Sequence, residues 1–343
     1  MTTSKKYRIV YAKRTPHSSD LPHTEVICNK WGLFFVWSLK IRFAKPVLPV
    51  KEQVELLQSR GLIIPNTERA ERYLLSIGYY RLSAYYRPFQ NSSDQTNEFD
   101  SNVCFDDILE LYIFDRKLRC LFWEALERIE ISIRTQWVYN LTGSTQDPFA
   151  HLDPSNFLNF QTHKQSLEKL KTSVQCSSSE AFIAHFFENY DEELPPLWSC
   201  VQLMTFGELI RWIQNTTNSD IQNNVAKSLG FVKFYPFESF AVALTELRNV
   251  CAHHARLWNR IFMKRPKTVK KMTVPGFEQY LPIPASNKLY PFALLLAAAL
   301  KANSPQTSWP SRLGKLLSTR PEQQVLTMGF PSNWKELALW KPT

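Results

Sequence analysis

Asp106–Leu141 reads DDILELYIFDRKLRCLFWEALERIEISIRTQWVYNL, and this stretch decides the fold. Ile108, Leu111, Leu118, Phe122, Ala125, Ile129, Ile133 and Trp137 recur at helical spacing and form one apolar stripe. Asp106 and Asp107 suit a helix N-terminus, where the macrodipole favours negative charge, and TGSTQDP closes the pattern. The spacing therefore predicts one long helix packed along its length. Upstream, VKEQVELLQSRGL predicts a helix with Gly61 at its C-cap. NTERAERYLLSIGYYRLSAYYRPF predicts another, capped by Asn66 or Thr67 and stopped by Pro88. Residues 90–101 are polar and read as a loop, and residues 171–180 as a surface insertion. LPPLWSCVQLMTFGELIRWIQN predicts a helix with prolines in its first turn. A motif-bearing helix is expected over residues 236–261, then a Pro- and Lys-rich connector and the apolar helix NKLYPFALLLAAALKAN. Strand alternation is scarce, so the class is mainly α.

Composition narrows the function. Lys plus Arg number 41 against 31 Asp plus Glu, a surplus that suits polyanionic partners, nucleic acid or an anionic membrane surface. The apolar block WGLFFVW (Trp31–Trp37) is too short to span a bilayer and has no cleavage site beside it, so a cytoplasmic protein without a membrane partner is expected. Six cysteines are scattered without a CxxC pair; Cys120, Cys200 and Cys251 fall in apolar helical patterns and read as buried thiols of a reducing compartment. The nine glycines make no GxGxxG and no P-loop, and HExxH, GxSxG and EF-hand patterns are absent. Asp115-Arg116-Lys117 has the D-x-K form of some metal-dependent nucleases but lies in a helical pattern rather than on a strand. No metal and no cofactor are expected.

The chemistry concentrates in ELRNVCAHHARLWNR, Glu246–Arg260. On an ideal helix Phe240, Leu244, Leu247, Cys251 and Trp258 share one face, with His254 at its edge, where a satisfied core histidine is the expected reading. Glu246, Asn249, His253, Arg256 and Arg260 project from the opposite face, which makes His253 the better acid–base candidate. Between Glu246 and Glu278 there is no acidic residue, while Arg248, Arg256, Arg260, Lys264, Arg265, Lys267, Lys270 and Lys271 are all basic. Such a run suits a phosphate track; the bland alternative is a solvated connector. On the long helix Asp115/Arg119 and Glu130/Arg134 are spaced i,i+4. They read first as ion pairs between packed helices and second as a layer, with His254, that holds Arg248 or His253. YYRLSAYYR (Tyr79–Arg87) interleaves aromatic and basic residues, as either core packing or an RNA-stacking surface would.

Arg248-Asn249-Val250-Cys251-Ala252-His253 resembles the R-N-x-x-x-H signature of HEPN-fold ribonucleases. In order, KPVLPVKEQVELLQSRGLII, IGYYRLSAYYRPF, LYIFDRKLRCLFWEALERIEISIRTQ, PPLWSCVQLMTFGEL, LRNVCAHHARLWNR and MGFPSNW resemble the Abi-like proteins of bacterial abortive-infection phage defence over residues 45–343. Residues 1–44 do not fit that resemblance. It implies a HEPN-type helical bundle: an N-terminal extension (1–44), an N-terminal helical segment (45–100), a HEPN-like core (101–262), and a basic connector with a C-terminal helical segment (263–343). It also implies a homodimer through the motif helix, toxin-like RNA cleavage and, in some members, a bound small RNA. Arg248 would stabilise the phosphate, His253 would carry protons and Asn249 would orient the phosphate or its neighbours, in a metal-independent attack by the substrate's 2′-OH. On one straight helix Arg248 and His253 diverge by about 140°, so a distorted helix or a second protomer is needed to unite them. A non-cleaving RNA-binding regulator on the same scaffold is the alternative.

Overall fold

The computed structural model describes residues 46–90 and 97–341 together with the backbone of two short strands. β1 (Thr24–Asn29) pairs antiparallel with β2 (Gly32–Trp37), Thr24 opposite Trp37. The rest of the N-terminal extension expected over residues 1–44 lies outside the described residues. Everything else of size is helical: α1 (Val50–Ser59), α2 (Thr67–Ile77), α3 (Tyr79–Ser83), α4 (Phe105–Thr145), α5 (Phe160–Cys176), α6 (Ala181–Asn189) and α7 (Leu197–Leu203). They are followed by α8 (Phe206–Asn215), α9 (Ser219–Ser228), α10 (Phe234–Ala252), α11 (Leu289–Asn303), α12 (Trp309–Leu317) and α13 (Glu322–Leu326). The chain is mainly α, as the apolar spacing requires.

α4 is the axis, about 60 Å long at 1.5 Å per residue. Its expected stripe from Ile108 to Trp137 is buried throughout, and α7, α8, α9, α10, α11 and α12 all pack against it. Each large apolar side chain taken fully out of water there contributes roughly 1.5–3 kcal/mol. α11 is apolar on every side and buried on every side from Pro291 to Leu300, as expected of a helix inside the core. Core residues run continuously from Val54 to Trp340. Among the described residues no helix is long and apolar enough to cross a membrane.

Several helices end earlier than periodicity predicts. Asn66 is the N-cap of α2 and accepts from the Arg69 amide at 2.8 Å, but Gly78, at φ +89°, breaks the expected helix before α3. The helix expected over residues 194–215 splits into α7 and α8. Thr205 and Glu208 form a capping box there, with the Thr205 amide donating to Glu208 at 2.9 Å, and so start a new helix. Residues 171–176 continue α5 rather than forming an insertion. Of the three cysteines expected inside, Cys200 and Cys251 are buried; Cys120 is exposed, because it lies off the α4 stripe.

Candidate functional site

α10 stops at Ala252 instead of continuing to residue 261, and the stop is a Schellman motif. The His254 amide donates to the Cys251 carbonyl at 3.1 Å and the Ala255 amide to Val250 at 3.0 Å. His254 occupies the left-handed position, φ +55°, that glycine usually takes. The expectation of a core histidine at 254 is thereby overturned: both His253 and His254 are exposed, because the helical projection does not extend past the cap. Trp258 is buried as expected, but by way of the loop rather than the helix face.

The loop after the cap is tied down by α3 and α4. Asp115, fully buried on the α4 stripe, accepts the backbone amides of Leu257 at 3.1 Å and Trp258 at 2.6 Å. It also accepts the Tyr85 hydroxyl at 2.5 Å and pairs with Arg119. Burial pushes the Asp115 carboxyl up from its ordinary range, while Arg119, Tyr85 and the two amides pull against that shift. Arg81 donates to the His254 carbonyl at 2.7 Å, and Arg256 donates to the Ala84 carbonyl at 2.5 Å. YYRLSAYYR is therefore in part a packing element: Tyr85 and Tyr86 are buried, and only Tyr80 of its four tyrosines stands well out in solvent.

The second expected pair frames Arg248. Glu130 accepts from Arg134 at 2.5 Å, and Arg134 also donates to the carbonyls of Val201 and Met204 at the end of α7. The other Glu130 oxygen lies 3.7 Å from Nε of Arg248, close enough to pair charges and too far for a hydrogen bond. The Arg248 guanidinium lies over the Trp123 ring, 5.4 Å from its centroid, and its Nε is buried without a hydrogen-bond acceptor. Trp123, Glu127, Glu130, Ile131, Arg134 and Arg248 border a cleft of about 230 Å³. Asn249 and His253 are exposed beyond it.

The expected basic track divides in two. Lys264, Arg265, Lys267, Lys270 and Lys271 are exposed on the connector, which runs back beside α10. Glu246 fixes its start by accepting the backbone amides of Met263 at 3.1 Å and Lys264 at 2.8 Å. Lys267 lies over the Tyr235 ring, and its amide donates to Ser239 at 2.8 Å. Arg256 and Arg260, by contrast, are half-buried. Arg256 is committed to Ala84, and Arg260 turns toward the Arg256 carbonyl at 3.4 Å, so the structure separates them from the track. Among the described residues no three His, Cys, Asp or Glu side chains are grouped to hold a metal ion. Sequence reasoning missed Trp123, hidden among core-like aromatics on α4, and Arg81 and Ala84, whose role passes through backbone carbonyls.

A family model for the Abi-like protein family matches residues 72–259, more than half of the chain. The chain belongs to the Abi-like family, whose name suggests abortive-infection defence against phage. The match takes in Asp115, Glu130, Arg248 and His253, and ends one residue beyond Trp258. Nothing among curated proteins or solved structures matches the chain.

Proposed function

We propose that this protein is a metal-independent, HEPN-type endoribonuclease of abortive-infection phage defence. The reading rests on the chemistry gathered at the end of α10. Arg248 is held by Glu130 and Trp123 without being saturated, His253 is exposed five residues on, and the cationic connector runs back along α10 from Glu246, whose carboxylate is spent on backbone amides. In the reaction the RNA 2′-oxygen attacks the adjacent phosphorus and the 5′-oxygen departs. One imidazole removes the 2′-OH proton and another protonates the leaving oxygen. Arg248 offers fixed, charged donors to the phosphorane, and Asn249 orients the phosphate.

Two proton carriers are needed, and one protomer's His253 supplies one. A homodimer through this end of α10 supplies the second. Exposed apolar side chains support such a contact: Trp123 and Ile131 border the Arg248 cleft, and Ile261 and Met263 follow the motif loop. RNA is the substrate, and Lys264, Arg265, Lys267, Lys270 and Lys271 track its phosphates.

Purified protein should cut RNA in the presence of EDTA and leave 2′,3′-cyclic phosphates or their opened 3′-phosphates. Products with 3′-hydroxyls, or activity that returns only with added magnesium, would falsify this mechanism. Light scattering should report about twice 40.0 kDa; a monomer that still cleaves would show that the site is complete in one chain.

A further inference from the structure

One cavity without an assigned role lies beside α3. A cavity of about 620 Å³ opens between α1 and α3, within the range of about 300–1,000 Å³ usual for small-molecule sites. Its chemistry is selective. Arg60 and Arg87 line it, and among the described residues no acidic side chain lines it and neither arginine has a carboxylate partner. Arg60 is positioned by a 2.9 Å hydrogen bond to the Tyr79 hydroxyl. Two guanidiniums bordering one cavity suit a phosphate.

The same wall is aromatic. Tyr80, 91% exposed, presents a free ring face at the rim. Tyr86 is 3% exposed and packs edge-on against Tyr79 and Phe99, which fixes its ring. Its hydroxyl is buried and has no hydrogen-bond partner. A buried hydroxyl left unpaired is uncommon in native proteins, and one beside a cavity gains a partner when a ligand enters and the wall gives slightly. Gln53 and Gln90 also line it, their amide nitrogens donating to the Leu48 carbonyl at 2.8 Å and the Asn97 carbonyl at 3.0 Å, which leaves their amide oxygens as acceptors. Anion donors, a stacking face, amides and an orphan hydroxyl are together the recognition chemistry of a base bearing a phosphate.

We propose that this cavity binds a nucleoside phosphate, either free or as one residue of an RNA strand. Phosphate pairs with Arg60 and Arg87, the base stacks on Tyr80, and the Tyr86 hydroxyl bonds to the base or sugar. The site is separate from the Arg248 cleft and stands whether or not the chain cleaves RNA.

The test uses the full chain carrying His253→Ala, so that no cleavage intervenes, and isothermal titration calorimetry. The probes are the four ribonucleoside 5′-monophosphates, ribose 5-phosphate, inorganic phosphate and a tetraribonucleotide. At least one monophosphate or the tetranucleotide should bind about tenfold tighter than ribose 5-phosphate or phosphate. Tyr86→Phe should weaken that binding about tenfold while leaving the melting temperature unchanged or raised, since it removes an unpaired buried hydroxyl. Arg87→Ala and Tyr80→Ala, both at exposed positions, should weaken it without loss of stability. Equal sensitivity of monophosphate and tetranucleotide points to a free nucleotide; sensitivity of the tetranucleotide alone points to a strand residue. The proposal is overturned if neither probe binds, if base-free phosphates bind equally well, or if Tyr86→Phe and Arg87→Ala leave affinity unchanged.

Discussion

Two carboxylate–arginine pairs sit one above the other on α4, built to the same i,i+4 spacing, and they do opposite things. Asp115/Arg119 is sealed. The aspartate is fully buried and accepts a tyrosine hydroxyl, a guanidinium and two backbone amides. Nothing is left over for a ligand, and the pair serves to fix the loop behind His253 and His254. Glu130/Arg134 is open. Arg134 is saturated by carbonyls of α7, but the free edge of Glu130 meets Arg248 only loosely, at the wall of a cleft. What separates them is the donors that other segments bring to each carboxylate: a complete set makes an anchor, an incomplete set leaves an arginine available.

That contrast can be broken experimentally, and the open end should give the largest effect. His253→Ala should lower RNA cleavage by about 10²–10⁴-fold, and Arg248→Ala by at least as much. Both variants should melt within about a degree or two of wild type, since surface and cleft substitutions change stability little. Equal losses of rate and stability would mean that both groups are structural. At the sealed end, Asp115→Ala leaves Arg119 buried and uncompensated and should cost about 3–5 kcal/mol in denaturant unfolding. Asp115→Asn keeps an acceptor for the two amides and should cost less. A variant at 115 as stable as wild type would remove the anchor from the account.

Glu130→Gln tests whether the second pair is truly slack. It keeps an acceptor for Arg134 and should cost about 1 kcal/mol. Relieved of the neighbouring charge, Arg248 should bind RNA more tightly at low salt, by less than about tenfold. Tighter binding is the telling sign, and weaker binding would make Glu130 a required partner of Arg248. His254→Gly should give the smallest effect: about 1 kcal/mol of added stability from relief of the left-handed backbone, with cleavage retained. A stable but inactive His254→Gly variant would transfer the proton-carrying role to that residue.

Much of the scaffold was legible in the sequence. The α4 stripe, the buried position of Asp115 and both i,i+4 pairs follow from spacing alone, because a long amphipathic helix writes its core face into every third or fourth residue. The exposure of His253 was also legible, though for a different reason than a continuing helix. The end of α10 was not. A Schellman stop usually advertises itself with glycine; here histidine fills that position, and Leu257 and Trp258 continue the apolar period by chance of packing. The restraints that turn the chain come from Asp115 and Arg81, which are distant in sequence. The division of the basic run was hidden likewise, since Arg256 is withdrawn by a backbone carbonyl, a partner that no residue type reveals.

The reach of Asp115 also sets an order of assembly. Its two amide donors, Leu257 and Trp258, lie 142 and 143 residues further along the chain. At about 5–20 residues per second of synthesis, Asp115 leaves the ribosome and waits roughly 7–28 seconds for the groups that complete its partner set. The segment bearing Arg248 and His253 emerges immediately before those donors, so the last turn of α10 and the anchor that fixes its exit are finished together. A nascent chain released short of Trp258 carries the arginine and histidine without the loop that positions them.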